Sequence, residues 1–176
     1  MSLIALVLLS VIAGLGCQSL PEEEFFKLLA QAPRNYQVTL PKEGWKSLEM
    51  EGADIAMESA SGGAAFAIFI PSRMKKADSG EIPLGVLRTE LLLEIKGKKI
   101  ISSEYLTLAG QQAIRTLLEG KVEGEKVKIE AYTLTKGDLV YDIVYWARPE
   151  EFEIYHKDFQ QMMESFRFVE QTPASQ

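Results

Sequence analysis

A single cysteine carries the clearest chemistry in this chain. Cys17 closes the apolar run Leu3 to Gly16 and directly follows Gly14-Leu15-Gly16. A short apolar segment, small residues and then a Cys form the pattern of a bacterial lipoprotein signal peptide. Residues 1–16 would be removed, and Cys17 would become the first residue and carry acyl chains. As a helix, Leu3 to Gly16 covers roughly 21 Å at about 1.5 Å per residue, short of the ~30 Å hydrocarbon core. That length suits a signal-peptide apolar region rather than a membrane span. One departure from the pattern is that Met1 and Ser2 supply no Lys or Arg ahead of the run. Other thiol chemistry fits less well. A lone Cys makes no internal disulfide and no multi-Cys metal site, and a catalytic thiolate needs a His beside it. Stable anchoring takes two or more membrane signals, which multiple acylation of Cys17 would supply. Gln18 and Ser19 follow Cys17, with no Asp of the kind that retains lipoproteins in an inner membrane. The expected location is the periplasmic side of a bacterial envelope, the outer membrane favoured over the inner.

Elsewhere the reactive residue types are scattered. His156 is the only histidine. It stands one turn after Phe152 at the edge of an apolar stripe, and its spacing reads as a helix residue at the boundary of that stripe rather than a catalyst or metal ligand. Ser72-Arg73-Met74-Lys75 matches Ser-x-x-Lys, but the Ser-Asp-Asn and Lys-Thr-Gly partners of that chemistry are absent from the sequence. Ser61-Gly62-Gly63 lacks the Gly-Lys-Ser/Thr of a phosphate loop and leads into a strand. Glu22-Glu23-Glu24 and Glu150-Glu151 are possible Ca²⁺ ligands, yet each suits a helix start better. Neither Gly-x-Ser-x-Gly nor His-Glu-x-x-His occurs. The sequence therefore predicts no catalytic residues, no metal, and no cofactor apart from covalent lipid on Cys17. It points away from an enzyme.

Charge narrows the partners. The 176-residue chain has 25 acidic and 19 basic residues, a net charge of -6. An acidic chain without a basic stripe argues against nucleic acid and against an electrostatic hold on anionic lipid. The expected membrane attachment is the lipid. The length is that of one ordinary domain with a substantial core.

The elements that must carry these residues can be read from periodicity. Residues 17–35 form a lipid-anchored segment with a short helix. Pro21 and Glu22 to Glu24 start it, Phe25, Leu28, Leu29 and Ala32 share a face, and Pro33 ends it. A single domain is expected over 36–170. It opens with strands at Tyr36 to Leu40 and Trp45 to Met50, separated by Pro41-Lys42-Glu43-Gly44. Asp54 to Ser59 and Ala64 to Ile70 form a hairpin, the second strand apolar at every position and so buried on both faces. Pro71 to Gly80 is a polar loop. Residues 82–97 read as a helix stopped by Gly97. One stripe is Leu84, Leu87, Leu91 and Ile95, and a second is Ile82, Val86 and Leu93, which together predict burial on two sides. Strands follow at Ile100 to Leu108 and Ala113 to Leu118. A hairpin then joins Val127 to Thr135 with Leu139 to Ala147. The last helix, 149–166, opens at Pro149 and presents Phe152, Tyr155, Phe159, Met162, Met163 and Phe166. Arg167 to Val169 leaves it, and 171–176 reads as a disordered tail. Hairpin-linked strands apolar on both faces need a cover on each side. The predicted class is α+β, an antiparallel sheet flanked by helices on both faces.

Four motifs in this order resemble the PsbP-like superfamily. Tyr36-Gln37-Val38-Thr39-Leu40-Pro41-Lys42-Glu43-Gly44-Trp45 is similar to its strand–Pro–turn–Gly-Trp opening. The all-apolar strand and long helix follow. Leu106-Thr107-Leu108-Ala109-Gly110-Gln111-Gln112-Ala113 matches its strand with a Gly turn, and Met163-Glu164-Ser165-Phe166-Arg167-Phe168 its Ser-Phe finish. The resemblance covers roughly 36–169. That superfamily includes the PsbP subunit of photosystem II, a nuclear Ran-binding protein and DcrB-like bacterial lipoproteins. The resemblance implies an accessory or binding role, an α/β/α sandwich, and no shared catalytic residues. Two functions follow as expectations. One is an envelope lipoprotein that docks a protein partner. The other is a carrier or sensor of a small apolar ligand held between the sheet and the 82–97 helix, helped by the flexible Met74, Met162 and Met163.

Overall fold

A strand with apolar side chains on both faces belongs in the middle of a covered sheet. Leu139 to Ala147 is such a strand, and it occupies the centre of the structure. The computed structural model describes residues 35–70, 83–93 and 95–169. Cys17, the helix expected within 17–35, the Ser72 to Lys75 motif with Met74, Ile82 and the tail 171–176 lie outside these residues.

In chain order the strands are β1 (Tyr36–Gln37), β2 (Trp45–Ser47), β3 (Ala53–Ser59), β4 (Ala64–Phe69), β5 (Lys96–Leu108), β6 (Gln111–Val122), β7 (Glu125–Lys136), β8 (Leu139–Ala147) and β9 (Arg167–Phe168). Helix α1 (Leu84–Leu91) precedes β5, and α2 (Phe152–Ser165) follows β8. Seven strands form one sheet in the order β2-β3-β4-β8-β7-β6-β5, and β1 pairs with β9 in a separate two-stranded ribbon. Every pairing is antiparallel.

Alternation along each strand splits the core into two layers. Under α2 lie Phe66, Ile68, Tyr141, Ile143 and Tyr145, meeting Phe152, Phe159, Met162 and Met163 of the helix. On the other face Ala67, Leu118, Ile129, Val144 and Trp146 pack with Leu92 and Ile95. All six residues of β4 are buried, as its unbroken apolar run predicts.

The α+β class and the antiparallel sheet are observed, but the helix expected to cover the second face is much shorter than predicted. It is Leu84–Leu91, not 82–97. Leu92 and Ile95 continue the apolar stripe through a turn, so the helical period outlasts the helix. Gly97 does not stop a helix. It lies inside β5 with φ +58, a left-handed conformation that glycine tolerates. The second stripe is not buried either, since Val86 and Leu93 are exposed. At the final helix, Arg148 to Glu151 form a turn closed by the Glu151 N–H on the Arg148 carbonyl. Helix α2 therefore starts at Phe152 rather than at 149. The strands expected at 36–40 and 45–50 are shorter, and those expected at 113–118 and 127–135 longer.

Candidate functional site

Beneath α2, strands β6 and β7 bring a set of charged side chains into the sheet interior. In the register, Arg115 faces Tyr132 and Leu117 faces Glu130, so Arg115 lies diagonal to Glu130 on one face. Glu104 of β5 is directly opposite Arg115. From above, α2 lowers His156 onto the same spot.

The Glu130 side chain has 0% exposure, against 26% for Arg115 and 12% for His156. Its Oε1 accepts from Arg115 Nε at 3.0 Å and from the Tyr132 hydroxyl at 2.7 Å. Its Oε2 accepts from Arg115 Nη2 at 3.1 Å and contacts His156 Nε2 at 2.7 Å. An ionised carboxylate only accepts hydrogen bonds, so His156 Nε2 carries the proton in this contact. Arg115 Nη1 reaches on to Glu104 Oε1 at 2.8 Å.

Burial opposes ionisation of Glu130. Hydrogen bonds from Arg115 and Tyr132 together with the charges of Arg115 and His156 outweigh it, and the carboxyl is held below its ordinary range. The hydrogen bond to Glu130 raises Arg115. Burial, and then the hydrogen bond to Glu130, pushes the Tyr132 phenol up. Each group is thereby fixed in one protonation state. A carboxylate offers about four acceptor sites, and all of those on Glu130 are engaged from within the protein. No lone pair remains to act as a general base, and no face is open to a substrate. The cluster ties β6, β7 and α2 together.

The sequence placed His156 on the last helix at the edge of its apolar stripe, and the structure gives it the additional role of a link to Glu130. It did not reveal Arg115, Glu130 and Tyr132 as a group. The available signal was one charged residue in the middle of each strand, Arg115 after Ala113-Ile114 and Glu130 between Ile129 and Ala131. Among the described residues no group of three or more His, Cys, Asp or Glu is arranged to hold a metal ion. Glu150 and Glu151 occupy the turn before α2, where Glu151 Oε2 accepts from Arg148 Nε at 2.7 Å.

An open groove of about 590 Å³ runs along the β2–β3 side of the sheet, lined by Leu40, Leu48, Met50, Ile55 and Met57 with Glu49, Glu51 and Asp54. It lies at the opposite edge from β5. Met162 and Met163, expected near a ligand, are buried on the core side of α2.

No family model and no curated sequence matches the chain. Solved structures do. The cyanobacterial PsbP (CyanoP) of Synechocystis is similar with a TM-score of 0.53 at 11% identity, over 77% of this chain and 93% of that one. LpqN of Mycobacterium tuberculosis, described as involved in cell envelope biogenesis, is similar with a TM-score of 0.54 at 16% identity, over 80% and 87% of the two chains. At such identities the likeness speaks for the fold. The chain has the PsbP-like fold, as the resemblance in its sequence implied.

Proposed function

We propose that this chain is a non-catalytic accessory module of the bacterial envelope, anchored by lipid on Cys17 and docking a protein partner at the membrane surface. The observation that carries the non-catalytic reading is the closed state of Glu130, whose four contacts all come from the protein itself. A PsbP-like fold shared with an envelope-biogenesis protein supports the location. Among the described residues no helix is long and apolar enough to cross a membrane, so attachment by the Cys17 lipid suits them. The outer membrane remains favoured over the inner because Gln18 follows Cys17. The carrier reading loses its main sequence support, because α1 is short and Val86 and Leu93 face outward instead of enclosing a ligand.

The test is metabolic labelling of the full chain with an alkyne fatty acid, beside Cys17→Ala, followed by mild-detergent purification and mass spectrometry. Label on the wild type but not on the variant, with one recurrent envelope protein that diminishes in the variant, supports the proposal. An unlabelled chain, or a labelled chain that releases a stoichiometric apolar small molecule and no protein, overturns it.

A further inference from the structure

We infer that the outer edge of β5 is a docking site for an extended, acidic strand of a partner protein. This deepens the binding-module reading and rests on it.

Strand β5 is the last in the sheet, and its 13 residues leave one row of backbone groups unpaired among the described residues. Its regular stretch, Ser102 to Leu108, is roughly 23 Å long at about 3.3 Å per residue. Its first ten residues, Lys96 to Tyr105, are all exposed. Long exposed edges are templates for strand addition and are normally shortened or covered.

The exposed apolar side chains gather at this edge. Of six large hydrophobics exposed among the described residues, Ile100 (47%), Ile101 (47%) and Tyr105 (62%) are on β5. Val86 and Leu93, two of the others, belong to α1 and the turn after it. That helix is tied to β5 by Arg88 Nη1, which donates to Ser103 Oγ at 2.9 Å. Isolated exposed hydrophobics need no explanation, but a cluster marks an interaction surface.

Charge selects the occupant. Lys96, Lys98 and Lys99 crowd the start of β5, in a chain of net charge -6. Lys96 is in register with Lys121 of β6, and Lys121 with Lys126 of β7. Like charges directly opposite one another destabilise a sheet, and acidic groups from outside would relieve that repulsion. The one acid of β5, Glu104, is held by Arg115. Two copies joined edge to edge would bring a second set of β5 lysines into one interface, while Glu104 of each copy is already held by Arg115. A lipid surface would leave the open N–H and C=O groups without partners. An acidic strand satisfies both the backbone and the lysines. Edge lysines ordinarily deter like edges, and the same charges admit an acidic one. Register shifts fall at Lys96/Lys99 and Ile100/Ser102, leaving Ser102 to Leu108 as the regular stretch where pairing would begin.

The experiment is to pan a random decapeptide phage library against the full chain in mild-detergent micelles and to synthesise the leading peptide. Its binding is read by fluorescence anisotropy and its location by hydrogen exchange of the backbone amides. The expected result is enrichment of Asp and Glu among apolar residues, protection confined to β5, and binding weakened about fivefold or more in Lys96→Gln/Lys99→Gln with an unchanged circular dichroism spectrum. Failure to select a binder, selection without acidic residues, or protection at the β2–β3 groove overturns the inference. So does a lysine-dependent association with phosphatidylglycerol vesicles in place of peptide, or a sedimenting dimer that protects β5 by itself. Loss of labelling at Cys17 would leave this result intact, and loss of peptide binding would leave the anchor intact.

Discussion

Arg115 and Glu130 meet diagonally across β6 and β7 through two hydrogen bonds of 3.0 and 3.1 Å, one to each carboxylate oxygen. The fork geometry suits a guanidinium and a carboxylate, and the carboxylate is wholly buried. Removing the cation strands a buried charge, which costs about 3–5 kcal/mol. Arg115→Met should therefore lower stability by about 3 kcal/mol, read as a drop in the urea midpoint at pH 7. The double variant Arg115→Met/Glu130→Leu should lose clearly less than the two single losses combined, because it leaves no stranded charge. Full additivity would show that the pair is not coupled.

Acid should act on the same carboxyl. Glu130 is depressed in the folded state from an ordinary value of 4.5, so near that pH the unfolded chain binds more protons than the folded one. Stability then rises with pH. The contribution of Glu130 is present above the ordinary carboxylate range and is lost as pH falls below it toward the folded value. In Glu130→Gln this part of the acid slope should vanish, so the stability gap to wild type narrows between pH 6 and pH 3 by urea titration. Glu153 is lowered in the same direction by its hydrogen bond to Lys128, but it is exposed. Glu153→Gln should flatten the slope less.

Two glycines make a contrasting pair. A Cβ on Gly120 would meet Ile95 Cγ2 at 2.3 Å and the Lys96 carbonyl oxygen at 3.3 Å. A Cβ on Gly63 would meet the end of the Glu151 side chain at 1.8 Å. Glu151 can swing aside at the cost of its bond to Arg148, whereas Ile95 is fixed in the core. Gly120→Ala should cost about 1–3 kcal/mol and Gly63→Ala distinctly less, as measured by thermal unfolding. The reverse order would show that the α1-to-β5 turn yields more easily than the turn before α2.

The two tryptophans should also differ. Trp45 Nε1 donates to Asp158 at 2.9 Å, and its ring packs against Phe66 and Tyr155. The buried Trp146 Nε1 has no hydrogen-bond partner among the described residues. Trp45→Phe should cost about 2 kcal/mol, from a lost bond and smaller ring contacts. In Trp146→Phe the relief of an orphaned donor offsets part of the lost packing, so its unfolding temperature should fall less.

What the sequence revealed follows the range of the interactions. Strand β8 was legible to the residue, because one face of Leu139 to Ala147 repeats the apolar character of the other. The end of α1 was not, because Ile95 keeps the helical period while Lys96 has already turned to pair with Lys121. Periodicity reports which residues face the core, not which backbone conformation presents them. The Arg115–Glu130–His156 network was hidden for another reason. Its members are brought together by register and helix docking, over separations of 15 and 26 residues. The edge at β5 appeared in the sequence as an ordinary strand, since strand order decides which strand is last.

The ribbon formed by β1 and β9 determines how the protein would bear a load. Gln37 is in register with Arg167 and Tyr36 with Phe168, while the Val169 N–H donates to the Asn35 carbonyl at 2.9 Å. The first described residues therefore lie beside the last. Tension from a tether ahead of Asn35 would reach β9, a two-residue strand, before any strand of the seven-stranded sheet. Under strain this clasp would peel first, with Tyr36 leaving its stack on Phe166, and it would act as a mechanical fuse that spares the sheet and the network it encloses.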